Sequence, residues 1–238
     1  MNPTNVPGNR RRTNNIDRAI LGLTRSCGLQ EEGARLLRSL VSPTERYPAA
    51  TLINSVASSP RPKLVLNGWA CELRALEDGR RQIFWFALPG DVVLSRPANS
   101  ANPCALLALT AVECLDVERI LSRAQDPGRH DLWRALNQAL RTSNERRYEQ
   151  AIRLGRRSAV ERVADLLLEL HDRLKVLDLV ENGGFPIALT QEHLADALGL
   201  STVHVNRRLR TLRTKKLATL RFGRVSGFNR EGLAALGR

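Results

Sequence analysis

Residues 190–213 read Thr-Gln-Glu-His-Leu-Ala-Asp-Ala-Leu-Gly-Leu-Ser-Thr-Val-His-Val-Asn-Arg-Arg-Leu-Arg-Thr-Leu-Arg, and this punctuation predicts two short helices joined by a sharp turn. Thr190 N-caps the first helix, whose Leu194, Ala195 and Leu198 share one apolar face. Gly199 supplies the backbone freedom the turn needs, and Ser201 caps the second helix. In that second helix Val205, Leu209 and Leu212 fall at i, i+4 and i+7 and face inward. Val203, His204, Arg207 and Arg210 then project outward by the 3.6-residue period. This is helix-turn-helix anatomy.

The outward residue types suit duplex DNA. A helix fits the major groove of B-DNA, and arginine offers the donor fork that matches guanine O6 and N7, so Arg207 is the candidate base reader. Val203 can pack on a thymine methyl, while Thr202, His204 and Asn206 can hydrogen-bond bases or phosphates. Thr190 and Gln191 open the first helix, where exposed backbone N–H groups suit phosphate. With Ser201 at the head of the second helix and Arg210, Arg213 and Lys215 as basic contacts, these residues make up the candidate interface. The local charge agrees: from Arg207 onward come Arg208, Arg210, Arg213, Lys215, Lys216, Arg221, Arg224, Arg230 and Arg238, opposed only by Glu231. Leu217–Arg221 and Val225–Phe228 flank Phe222-Gly223-Arg224, a strand-turn-strand pattern with a basic tip that resembles a wing.

Upstream of this segment, the residues from Asp131 carry helix formers without proline, and Leu132, Trp133, Leu136 and Leu140 form an apolar stripe. A long helix follows. Its second half, Thr142–Arg153, is polar on most faces, so a partner helix, charge pairs such as Glu145 with Arg146 and Glu149 with Arg153, or both must support it. Dimerisation through this helix is the economical reading, with a solvated single helix as its competitor. Gly155-Arg156-Arg157 breaks the pattern, and Ser158 with Glu161 forms a capping box that starts a fresh helix through Val163, Leu166, Leu167 and Leu170.

Earlier still the period changes to two. Trp69, Cys71, Leu73 and Ala75 alternate with Ala70, Glu72 and Arg74, and Asp78-Gly79 marks a hairpin turn into a strand over Arg81–Leu88. Pro89-Gly90-Asp91 turns the chain, and a further strand runs from Ala105 to Val117. These segments predict an antiparallel β-roll of about eight short strands, preceded by a short helix over Gln30–Leu40 and a frayed basic tail over residues 1–15.

Composition sets the outer limits. The chain has 238 residues, 42% hydrophobic and 26% charged, with 37 basic against 24 acidic side chains and a net charge of +13, a field that favours a polyanionic partner. Its longest apolar run, Cys104–Val112, is far short of the roughly 20 residues that span a bilayer, and no secretory h-region opens the chain. No membrane partner is expected. Cys27, Cys71, Cys104 and Cys114 are scattered, as are the four histidines, so no metal or disulfide framework is expected and a reducing cytoplasm is the default location. No nucleophile elbow, phosphate loop or dinucleotide fingerprint points to an enzyme.

Residues 189–207 and the stretch from Glu77-Asp-Gly-Arg-Arg-Gln-Ile to Leu88-Pro-Gly-Asp91 resemble the Crp/Fnr family of bacterial transcription regulators. The resemblance implies an α+β protein: a disordered tail (1–15), a cyclic-nucleotide-binding-like β-roll sensor (16–128), a dimerisation helix (129–156) and a winged helix-turn-helix domain (157–238). It further implies a homodimer on a roughly palindromic operator, with RNA polymerase as a further partner. On that resemblance Thr202, Val203 and Arg207 occupy base-reading positions, and Val203 departs from the glutamate of well-known members. The sensor departs more. Cyclic-nucleotide binders carry a Gly-Glu pair and an Arg-Ser or Arg-Thr step after Gly90-Asp91, where this chain has Val92-Val-Leu-Ser-Arg-Pro-Ala-Asn-Ser-Ala-Asn-Pro-Cys-Ala105. Only Arg96 is left to meet a phosphate, so the expected effector is something other than cyclic AMP, or none. The iron-sulfur sensor of Fnr-like members needs an N-terminal cysteine cluster, and only Cys27 lies there. No cofactor is expected. The competing reading is a ligand-binding β-roll protein whose helical tail contacts protein.

Overall fold

The computed structural model describes residues 7–39, 44–53, 60–96, 104–118 and 128–236. In chain order its elements are α1 (Pro7–Cys27), α2 (Glu31–Ser39), β1 (Glu45–Tyr47), β2 (Arg61–Asn67), β3 (Ala70–Ala75), β4 (Arg81–Ala87), β5 (Val92–Ser95), β6 (Cys104–Ala108) and β7 (Val112–Asp116). There follow α3 (Gly128–Arg156), α4 (Ala159–Val176), β8 (Phe185–Pro186), α5 (Gln191–Leu198), α6 (Thr202–Thr214), β9 (Thr219–Arg221), β10 (Arg224–Ser226) and α7 (Arg230–Ala235). Two compact units divide the chain: Met1–Ala70 with Ala87–Asn144, and Cys71–Phe86 with Glu145–Arg238.

The first unit is built on a four-stranded antiparallel sheet in the order β1-β7-β2-β5. Leu64 on β2 lies opposite both Leu115 on β7 and Val92 on β5, and all three are buried. Against them pack Ile16, Ala19, Ile20 and Leu23 of α1, Leu36 and Leu37 of α2, and Leu132 and Leu136 of α3. Each such side chain removed from water contributes about 1.5–3 kcal/mol, so this cluster is the main support of the unit.

Three expectations are corrected here. Residues 7–15 are not a frayed tail but the opening of α1; residues 1–6 lie outside the described segments. Pro7 suits the first turn, where its missing N–H is no loss. The i, i+3, i+4, i+7 spacing of Ile16, Ala19, Ile20 and Leu23 then anchors the helix on the core. Second, the alternation read in residues 69–75 does not hold, because Ala70, Cys71, Glu72 and Leu73 are all buried: both faces of β3 are covered. Third, the run over 105–117 is two strands, β6 and β7. Trp69 accepts hydrogen bonds from Leu109 (2.8 Å) and Thr110 (3.3 Å) between them. Seven strands of the expected roll stand among the described residues. Cys71 and Cys114 are buried, and desolvation pushes each thiol up to about 12, which keeps it neutral.

In the second unit α4 packs against α5, α6 and α7, while β8, β10 and β9 form a small antiparallel sheet in that order. Val163, Leu166, Leu167 and Leu170 of α4 are buried in this unit, as are Leu194, Leu198, Val205, Leu212, Val225 and Leu233. His171 stacks on Phe228 with ring centres 4.3 Å apart, and Phe185 meets both edge-on. The expected capping box forms, with the Ser158 N–H donating to Glu161 at 2.9 Å.

The expected Glu149–Arg153 pair is replaced. Arg153, 4% exposed, turns toward α4 and donates to Asp165 (2.8 Å) and Glu169 (2.7 Å). Burial alone would raise the Glu169 carboxyl, but Arg173 and Arg153 outweigh it and hold the group below the usual carboxylate range.

The β3–β4 hairpin belongs to this second unit. Leu76 and Arg80 close its loop at 2.8 Å, so three residues turn the chain and Gly79 takes the left-handed conformation at φ 81°. Buried Glu72 accepts from Trp85 Nε1 at 3.0 Å and from Arg147 Nε at 2.7 Å, and the Arg147 guanidinium also lies over the Trp85 ring.

Candidate nucleic-acid interface

The two helices form as their caps dictate. Thr190 Oγ1 accepts from the His193 N–H at 3.1 Å, and His193 Nδ1 accepts from the Thr190 N–H at 3.3 Å. Gly199 ends α5 in the left-handed region at φ 62°, where an L side chain is strained. Ser201 Oγ accepts from the His204 N–H at 3.2 Å and starts α6. Val205 and Leu212 are buried and Leu209 is half-buried, so the inner face is as the spacing predicts.

The outer face is open. Thr202, Val203, His204, Asn206, Arg207, Arg210, Arg213 and Lys215 are all exposed, and Val203 keeps 73% of its surface in water. No ion pair among the described residues holds Arg207, Arg210, Arg213 or Lys215, and the sequence has no carboxylate between Asp196 and Glu231. Polar candidates differ in their freedom. Asn206 Nδ2 donates to Gln191 Oε1 at 2.7 Å, tying α6 to the start of α5. The Ser201 hydroxyl also lies 3.0 Å from His204 Nδ1, so Ser201 and His204 are partly engaged at the cap. A groove of about 240 Å³ runs beside α6, lined by Gln191, Asn206, Arg210, Arg213, Thr219 and Leu220. It brings together predicted residues from both helices with the first strand of the wing.

The wing itself is a two-residue hairpin: Arg221 pairs with Arg224, and both central residues, Phe222 (φ 50°) and Gly223 (φ 68°), have positive φ. Phe222 is fully exposed.

A Crp-like helix-turn-helix domain model matches residues 161–236. The nitrogen fixation regulation protein FixK of Bradyrhizobium diazoefficiens is 34% identical over 144 residues, 60% of each chain. The transcriptional activator protein FnrL of Cereibacter sphaeroides is 32% identical over 153 residues, 63% of this chain and 61% of its own length. The match thus spans about three fifths of these relatives. The solved structure of FixK2 from Bradyrhizobium japonicum is similar as well, with 27% identity, a TM-score of 0.63, and coverage of 84% of this chain and 98% of that one. Residues 161–236 are thus a Crp-like helix-turn-helix domain, and the chain is similar to regulators of the Crp/Fnr type.

The part that sequence reading missed is the support behind α5. Arg81, on the β4 strand of the hairpin, donates to Asp196 (3.0 Å) and Glu192 (2.8 Å) of α5. Gln82 adds a bond to the Ala197 carbonyl at 3.3 Å. His193 sits half-buried beside them, and desolvation, then the Arg81 charge, lower its pKa, so its ring stays neutral and keeps the acceptor that the Thr190 box uses. No local signal in the sequence marks these pairs. The segment over residues 97–103, where cyclic-nucleotide binders carry phosphate-gripping groups, lies outside the described residues.

Proposed function

We propose that this protein is a transcription regulator that binds a roughly palindromic duplex site as a homodimer, reading bases with α6 in the major groove. The observation that carries the reading is the open outer face of α6. Thr202, Val203, Arg207 and Arg210 stand exposed on a helix whose opposite face is packed, in a stretch without carboxylates. Residues that satisfy themselves locally, Thr190 and Ser201, fix the helix starts, while the unpaired arginines face the polyanion. The homodimer is supported by α3, where Tyr148 and Ile152 are 71% and 48% exposed and share one face at i, i+4 spacing. In the same proposal the protein acts in the cytoplasm, has no enzymatic activity, meets RNA polymerase at its promoter, and answers to an effector other than cyclic AMP or to none.

The test is selection of bound sites from random duplexes by the full-length protein. The expected product is an inverted repeat whose half-sites are centred about one helical turn, roughly 34 Å, apart or a multiple of it, and whose affinity falls steeply with salt. Failure to enrich any duplex, with binding flat in salt, would instead favour the protein-contact reading of the helical domain.

A further inference from the structure

We propose that Phe222, at the tip of the β9–β10 wing, packs its ring against the sugar wall of the minor groove beside the half-site read by α6. This rests on the DNA-binding reading above and adds an apolar contact that the basic face does not supply.

Two features of the tip work against the fold. Phe222 holds φ at 50°, a region that a bulky side chain rarely adopts and that a two-residue hairpin normally fills with asparagine, aspartate or glycine. Its ring is also 101% exposed, so the strained backbone is rewarded by no packing within the chain. A ring presented so completely has its partner outside the molecule.

The charge around it indicates which partner. Arg221 and Arg224 flank the tip, and no carboxylate occurs between Asp196 and Glu231. Arg224 donates to the Glu181 carbonyl at 2.8 Å, which steadies the strand that carries the tip. The preceding strand, through Thr219 and Leu220, lines the same groove as Arg210 and Arg213, so the wing continues the face of the recognition helix. An exposed aromatic ring in a basic, carboxylate-free hairpin, on a strand that lines the same groove as α6, fits a neighbouring minor groove. There apolar side chains lie against deoxyribose and base edges while arginines hold the phosphates on either side.

The test uses the full-length protein and two duplexes: the site it selects from a random pool with flanking base pairs kept, and the same site trimmed at its edges. Phe222→Asn is expected to bind the flanked duplex roughly tenfold more weakly with an unchanged salt slope, because the lost contact is apolar and releases no counterion. On the trimmed duplex, wild type and variant are expected to bind alike. Phe222→Tyr is expected to recover most of the affinity. Phe222→Asn is expected to melt at or above the wild-type temperature, since asparagine suits the turn, which separates a lost contact from a lost fold. Equal binding of wild type and Phe222→Asn to the flanked duplex, or an equal deficit on both duplexes, would overturn the proposal. So would loss of transcription with DNA affinity intact, which would assign the ring to a protein partner. A wild-type protein that binds no duplex would bring down both readings, whereas a binding protein indifferent to Phe222 removes this one alone.

Discussion

Arg207 and Lys215 are both exposed cations of the same surface, yet they stand differently on it. Arg207 lies midway along the exposed face of α6, while Lys215 is the residue that caps its far end. Arg207→Ala is expected to cost about 1–3 kcal/mol at the selected site and to relax preference at one base pair; Lys215→Ala should weaken all duplexes about equally. Competition binding against single-base variants of the site separates the two, and a uniform loss from Arg207→Ala would remove it as a base reader. Val203 permits a change of preference. A glutamate there accepts from cytosine N4 where valine meets a thymine methyl, so Val203→Glu is expected to move the selected sequence toward cytosine at one position in each half-site. Because Val203 is 73% exposed, its melting temperature should shift by no more than about 0.5 kcal/mol of stability implies.

Helix ends were the most legible elements, because each cap is written in neighbouring residues: Thr190 with His193, Gly199, Ser201 with His204. Gly199→Ala is expected to destabilise the C-terminal unit by about 1–2 kcal/mol. The new Cβ would sit 3.4 Å from Leu154 Cδ2, an acceptable approach, so the penalty is one of backbone conformation and not of space. Thermal melts of Gly199→Ala against Gly199→Asn check this, since asparagine tolerates the left-handed region better. The α3–α4 junction was not legible. Arg153 reaches Asp165 and Glu169 across a helix break, and there it joins Arg173, which meets Glu169 by ordinary i, i+4 spacing. Since Glu169 titrates lower in the folded protein than in the unfolded chain, its contribution is complete above about pH 4.3 and is lost as pH falls through the lower folded value. Glu169→Gln should therefore be less stable than wild type at neutral pH and show a smaller further loss on acidification. Parallel pH profiles of the two would contradict the assignment.

At the scale of the molecule, the winged half could be read closely and the strand-rich half only in part. Recognition signals in the former are local, whereas Glu72 meets Arg147 across 75 residues and Arg81 meets Asp196 across 115, distances that no periodicity encodes. The basic opening of α1 was misread for a related reason: its polar turns are held by packing that begins only at Ile16. Self-association belongs to this scale. Glutamate at both Tyr148 and Ile152 is expected to shift the protein from dimer to monomer in sedimentation, and to abolish preference for an inverted repeat over a single half-site. A retained dimer would place the interface elsewhere than on α3.

The exposure of Val203 carries a last implication. On the proposed reading of α6, a side chain on its base-facing side contributes almost nothing to the interior, so site preference and scaffold durability would be under separate control. Descendants of such a gene can acquire new targets through a single codon at this position without first accumulating stabilising changes elsewhere.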